Sequence, residues 1–318
     1  MIFESQAALK ERIEELTPRR VYGAVDVTED TSDYMSILGG SVLRLDGDDY
    51  FVMGDTKEGR FGIEDQPKFW VKYAVDLTSG QSKIIKLVFN EQFTTTMAGI
   101  KIQCRRNPRK EADVLAAVVG SPHFMQGRSL TDRAGNLVRI IDFVPGPNLF
   151  NHLVQLDVQH EQYFHEVLPD LMRRVIPAIE AMAGLHRREL HHGDVRNDHL
   201  LLRTGTTDAV WIDFDYEVNF SDYDVWSMGN VIGFIVGKGI HTFHDVVQHP
   251  EAYPGPASVL DEHDAMVLFR NRIANLRKLF PYIPRELNDI LMRFSVGTIS
   301  FYDGLEDQVA DLRTIFGE

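Results

Sequence analysis

The sequence predicts an α+β protein in which strand patterns gather before residue 144 and helical patterns after it. Phe69, Val71, Tyr73 and Val75 alternate with Trp70, Lys72 and Ala74, then a turn over residues 76–81 leads to an apolar run over 83–89, the pattern of a sheet hairpin. Across residues 167–188, by contrast, Leu168, Leu171, Val175, Ile179, Met182 and Leu185 keep helical spacing. Between the two regimes Val144-Pro145-Gly146-Pro147 breaks the chain. At 318 residues there is room for two domains or one large one, and for a substantial core.

Taken in order, residues 1–16 suggest an acidic amphipathic helix and lack the basic start and apolar core of a signal peptide, so a cytoplasmic location is expected. A turn-rich segment with Gly39-Gly40 and the acidic residues Asp46, Asp48 and Asp49 follows. Residues 50–53 read as a first strand and the glycine-bearing stretch 54–62 as a loop. Lys86 lies inside IIKLVF, where an isolated ammonium is expensive unless an anion or carboxylate pairs with it. Asn107-Pro108 reads as an N-cap followed by proline at the first helical position, and Glu111, Leu115 and Val118 then share one face. Residues 138–143 form a third strand. Pro177 should kink or split the long helix that follows. Residues 225–236 read as a buried helix, and 284–294 and 305–315 as amphipathic ones.

The chemistry concentrates in HHGDVRNDHLLLRTGTTDAVWIDFD, residues 191–215. Leu200 to Leu202 and Ala209 to Phe214 are apolar runs flanking a turn-rich gap, so Asp194 and Asp213 stand at the two ends of one hairpin and are expected to face one cleft. One carboxylate positioning a hydroxyl and another holding a metal on phosphate is the logic of phosphoryl transfer.

At these residues the chain resembles the protein-kinase superfamily. His192-Gly193-Asp194 is similar to the HRD catalytic-loop triplet in its HGD form, Ile212-Asp213-Phe214-Asp215 to the DFG segment, and Asp222 to Gly229, DYDVWSMG, to the DxWSxG start of a large-lobe helix. Three motifs in family order are far more specific than one. The resemblance implies a bilobal fold: an extension over 1–48, a small antiparallel-sheet lobe with one helix over 49–143, and a mostly helical lobe over 144–318. It implies ATP as cofactor, with Lys86 on the phosphates, Glu111 paired to Lys86, and a phosphate loop at Gly59, Phe61 and Gly62. It further implies adenine contacts through the main chains of Asp142, Phe143 and Val144, Asp194 as base, Arg196 on the transferring phosphate, and Asp213 as metal ligand. His199 stands where the family usually has a metal-binding asparagine. Mg²⁺ favours oxygen and imidazole suits softer ions, so Mg²⁺ or Mn²⁺ is the expected metal, with Asp198 or Asp215 as a substitute oxygen.

The implied activity is transfer of the ATP γ-phosphate to a hydroxyl, first of all as a Ser/Thr protein kinase. Only eleven positions separate Asp213 from Asp224, which leaves no room for a long activation loop. An aminoglycoside-phosphotransferase-like kinase acting on small molecules is therefore an alternative, and a nucleotide-binding pseudokinase a second. A net charge of −14, with nearly all of the acidic excess in residues 144–318, argues against nucleic acid or anionic membrane as a partner. The single cysteine, Cys104, excludes an internal disulfide and reads as structural. His241 and His244, with no Cys or ordered carboxylates beside them, read as surface residues rather than a metal pair.

Overall fold

A computed structural model of the protein describes every residue except Met1, Glu4, Phe61, Gly62, Ala98, Ser221 and Glu318. It is a mixed α+β structure that divides into two compact units. Among the described residues, no helix is long and apolar enough to cross a membrane.

The first unit comprises Met1–Glu91, Arg106–Ser121 and Met125–Val144. Helix α1 (Gln6–Leu16) is capped by the Ser5 side chain and buries Leu9 and Ile13, one turn apart, against Val25, Val42, Phe51 and Leu77. The chain then forms β1 (Val27–Thr28), β2 (Val42–Leu45), β3 (Asp48–Arg60), β4 (Ile63–Asp76) and β5 (Ser82–Lys86). After β6 (Gln92–Met97) and β7 (Ile100–Arg106) come α2 (Pro108–Ala117), β8 (Gly127–Thr131) and β9 (Leu137–Asp142). Seven strands make one curled sheet in the order β1-β2-β3-β4-β5-β9-β8, antiparallel apart from the β1/β2 pair. The turn-rich segment before residue 48 thus contributes two strands to this sheet. Its core joins Trp70, Ala74, Ile85, Leu87, Val138 and Ile140, with Phe89 stacked on Trp70.

Residues 54–60, expected as part of a loop over 54–62, are strand instead, and 61–62 lie outside the described residues. β3 continues to Arg60 and pairs with β4 through Asp55↔Lys72, Thr56↔Lys68 and Glu58↔Gln66, with register shifts that absorb the glycines. This stretch has no apolar alternation. Cross-strand charge holds it instead: Lys72, buried in β4, pairs with Asp55 at 2.7 Å and donates to the Ile37 carbonyl.

The second unit comprises Gln92–Arg105, Pro122–Phe124 and Pro145–Glu318. Its helices are α3 (Leu149–Val154), α4 (His160–Glu166), α5 (Leu168–His186), α6 (Tyr223–Val236), α7 (Phe243–Gln248), α8 (Leu276–Leu279), α9 (Arg285–Met292) and α10 (Leu305–Phe316). Between α5 and α6 lie β10 (Leu200–Leu202), β11 (Ala209–Trp211) and β12 (Tyr216–Val218). β10 and β11 form the expected hairpin, with Leu200↔Trp211 in register. β12 pairs with the β6–β7 hairpin, which packs Ile102 and the buried thiol of Cys104 on Tyr216.

Helix α5 is not split at Pro177. The carbonyl that proline leaves without its donor belongs to Arg173, an exposed residue that water reaches. On the opposite side Val175, Ile176, Ala178 and Ile179 are buried, and the Trp211 indole donates to the Ala178 carbonyl at 3.0 Å, so packing outweighs the lost bond.

Helix α6 is apolar on nearly all sides, and its glycines differ in what they tolerate. A methyl on Gly229 would overlap the Phe294 ring, whereas one on Gly233 would meet only the Met266 methyl at 3.6 Å. Gly229→Ala should therefore lose about 1–3 kcal/mol by overpacking. Gly233→Ala should be neutral or gain up to about 1 kcal/mol of helix propensity. Urea unfolding of both variants checks this, and equal effects would refute the packing described for α6.

Candidate active site

In the first unit, α2 begins with Asn107 accepting from the Arg109 and Lys110 amides, Pro108 in the first turn, and Glu111 facing inward. Glu111 is fully buried and pairs with Lys86 Nζ at 2.6 Å. Its other oxygen accepts from Arg139 Nε at 3.3 Å, and the Arg139 guanidinium also donates to the Leu87 and Leu137 carbonyls. One carboxylate thus links two strands through two buried cations, an arrangement whose members are costly to remove singly. Lys86 and Glu111 were legible as partners. Arg139 was missed, although an arginine inside the apolar run VRIID is the same signal as Lys86 in IIKLVF.

The remaining expected residues of this unit are placed as follows. Gly59 lies at the register shift between Glu58 and Arg60 of β3. Phe61 and Gly62 fall outside the described residues. The Asp142 amide is already committed to the Gln126 carbonyl and its carboxylate to Lys83, so Asp142 has no free amide to offer. The Phe143 amide donates to Ser82.

In the second unit, the loop between α5 and β10 is fixed by one buried carboxylate. Asp224, in the first turn of α6, accepts from the His192 amide at 2.6 Å, the Gly193 amide at 2.8 Å and His186 Nε2 at 3.0 Å. Burial alone would raise this carboxyl. The bonds from His186 and Gly193, with His192 nearby, overcome burial and hold it at about 2. Gly193 takes φ +80°, and the His192 ring is enclosed by Phe214 and Trp211. Among the described residues His186, His191 and Asp224 bring three ligand atoms within 4.8 Å, but with both Asp224 oxygens accepting hydrogen bonds this cluster is a clamp rather than a metal centre.

The clamp presents Asp194. Burial pushes its carboxyl up, Asp213 and Asp198 push the same way, and His199 and Arg196 oppose without cancelling. His199 stands between the two acids. Its Nδ1 donates to the Asp194 carbonyl at 2.8 Å, which leaves Nε2 directed to Asp213 Oδ2 at 3.6 Å. Asp213 sits at φ +70°, a conformation that is rare outside glycine and concentrates at functional sites. Arg196 forks onto Asp198 at 3.0 and 2.6 Å and reaches Asp194 only at 3.9 Å. Asp198 is therefore committed to Arg196, while Asp215 is fully buried. Asp194 and Arg196 line a cavity of about 410 Å³ together with Asn197, Tyr223, Asn230 and Arg272. Tyr223 lies inside the DYDVWSMG segment and Asn230 directly after it, whereas Arg272 lies far along the chain, where no local pattern marks it.

His244 is exposed, whereas His241 is half-buried: it bonds the Gly237 carbonyl and the Tyr253 hydroxyl, and burial lowers its pKa. No model of a known protein family matches the chain, and no curated protein matches it.

The clamp has an acid signature. An unfolded aspartate titrates near 3.9, so a folded carboxyl at about 2 contributes stability that is complete above about pH 5 and is lost as pH falls through about 2. Wild type should exceed Asp224→Asn in stability by on the order of 2 kcal/mol near neutrality, and the gap should shrink as pH approaches 2. Denaturant unfolding across that range measures it. A gap independent of pH would show that the carboxylate is not what holds the loop.

Proposed function

We propose that the protein is an ATP-dependent phosphotransferase with a protein-kinase-like bilobal fold, acting on a small hydroxylated molecule. The observations that carry the reading are the grouping of Asp194, His199 and Asp213 within one unit and, separately, the buried Lys86–Glu111 pair within the other, in the chain order that the motif resemblance implies. In this reading Lys86 holds the ATP phosphates and Glu111 holds Lys86. The Asp194 carboxylate, made more basic by burial, takes the proton of the acceptor hydroxyl as its oxygen bonds the γ-phosphorus and the bond to the β-phosphate oxygen breaks, releasing ADP. Arg196 supports the charge on the transferring group.

The donor set suits a divalent cation. His199 donates one ring nitrogen to a backbone carbonyl and turns the other toward a carboxylate oxygen, the usual posture of a metal-binding imidazole. Asp213 and His199 would hold Mg²⁺ or Mn²⁺, which neutralises phosphate charge when bound. Among the expected acceptors, a small molecule is supported over a protein. Asp194 lines a half-open cavity of about 410 Å³, and much of the short segment after Asp213 is taken up by β12, which is paired with β7.

Three outcomes follow. ATP should raise the melting temperature of wild type and fail to do so for Lys86→Met; an equal response in both variants would remove Lys86 from the nucleotide site. With γ-labelled ATP, Asp194→Asn should lower turnover by roughly 10²–10⁴, as loss of a positioned base predicts. His199→Asn should shift metal preference from Mn²⁺ toward Mg²⁺ in the same assay. ATP binding with Asp194→Asn turning over like wild type would replace this reading with a pseudokinase.

A further inference from the structure

We infer that the acceptor is a small polyhydroxylated anion whose negative group binds Arg272. The inference rests on the phosphotransferase reading for the role of Asp194, which lines the same cavity. Among the described residues, the Arg272 side chain makes no hydrogen bond or ion pair, and its one contact of note is an aromatic ring. Its guanidinium lies 4.0 Å from the centre of the Phe269 ring, and burial lowers its pKa with no neighbouring acid to raise it again. Among the described residues no carboxylate pairs with it. Arginine keeps its charge in proteins, and its planar fork matches carboxylate and phosphate oxygens in pairs. A half-buried guanidinium stacked on an aromatic ring and lacking a counter-ion is a ready anion site.

The remaining polar groups of the cavity call for hydroxyls. The side-chain oxygens of Asn197 and Asn230 are buried and have no hydrogen-bond partner. Buried amides of this kind are normally satisfied, and hydroxyls both donate and accept. Tyr223 is kept protonated by burial and remains a donor. A volume of about 410 Å³ suits a ligand of sugar size. Asp198, the other acid of the lining, is already neutralised by Arg196, so it does not repel an anion strongly. A cationic aminoglycoside would meet Arg272 with like charge.

Titrate gluconate, glycerol phosphate, uncharged sorbitol and cationic kanamycin against the full chain, following melting temperature and calorimetry, and then score each as acceptor for labelled phosphate. The inference predicts that gluconate, glycerol phosphate or both bind and accept label while sorbitol and kanamycin do not; which of the two anions wins identifies the headgroup as carboxylate or phosphate. Arg272→Met, which keeps an apolar stem on Phe269, should weaken anion binding and raise its KM by about ten- to a hundredfold, with kcat and ATP binding little changed. Asn230→Ala gives an independent second variant, expected to weaken the same ligands. Binding of sorbitol or kanamycin as tight as the anions, no anion binding at all, or an equal loss of ATP binding in Arg272→Met would each overturn the inference. Arg272-dependent anion binding in a protein that does not bind ATP would overturn the phosphotransferase reading alone.

Discussion

The second unit depends on a carboxylate that never needs to touch a substrate. Asp224 is buried, yet it stays ionised because two successive amides and an imidazole donate to it. Those bonds fix the backbone of His192 and Gly193 and therefore the direction in which Asp194 leaves the loop. In the proposed reaction this rigidity would matter because a base works only within hydrogen-bond reach of its proton. The same constraint explains Gly193, whose φ of +80° lets both amides turn toward one carboxylate. It also accounts for the enclosure of the His192 ring by Trp211 and Phe214, which ties the loop to the hairpin that carries Asp213.

Glu111 does comparable work in the first unit. A lysine on β5 and an arginine on β9 converge on its two oxygens, so the helix is registered against the sheet by charge as well as by Leu115 and Val114. Such a group is poor evidence for stability, because burying three charges costs solvation that their attraction only partly repays. Its value lies in orientation: Lys86 has lost its freedom before any ligand arrives, and in the proposed phosphotransferase this would lower the entropic cost of gripping a phosphate.

Much of this was legible in the residues. Helix α2 announced itself through Asn107-Pro108, the β10–β11 hairpin through two leucine- and valine-rich runs around a glycine turn, and Lys86 through its cost inside an apolar strand. Part of what stayed hidden had no periodic signal. The outer half of β3 and β4 is polar and held by Asp55–Lys72 pairing, so the alternation that marks a strand is absent. The β6–β7 hairpin was missed although Ile100, Ile102 and Cys104 alternate with Lys101, Gln103 and Arg105, the period of a half-buried strand. Pro177 was expected to kink or split α5; the helix is not split, since the carbonyl it orphans belongs to an exposed residue and both flanks are packed. Asn230 and Arg272 were invisible for a different reason: a cavity is made by residues distant in sequence, and only tertiary structure brings them to Asp194.

The most direct test of the central claim is where an ATP-mimicking electrophile attaches. Fluorosulfonylbenzoyl adenosine carries its reactive sulfonyl near the position of the terminal phosphates and captures an amine that lies there. Peptide mass mapping of the labelled protein should find the adduct on Lys86, and ATP added beforehand should prevent it. An adduct on Lys83 or other accessible lysines with Lys86 unmodified, or labelling of Lys86 that ATP does not reduce, would contradict the account.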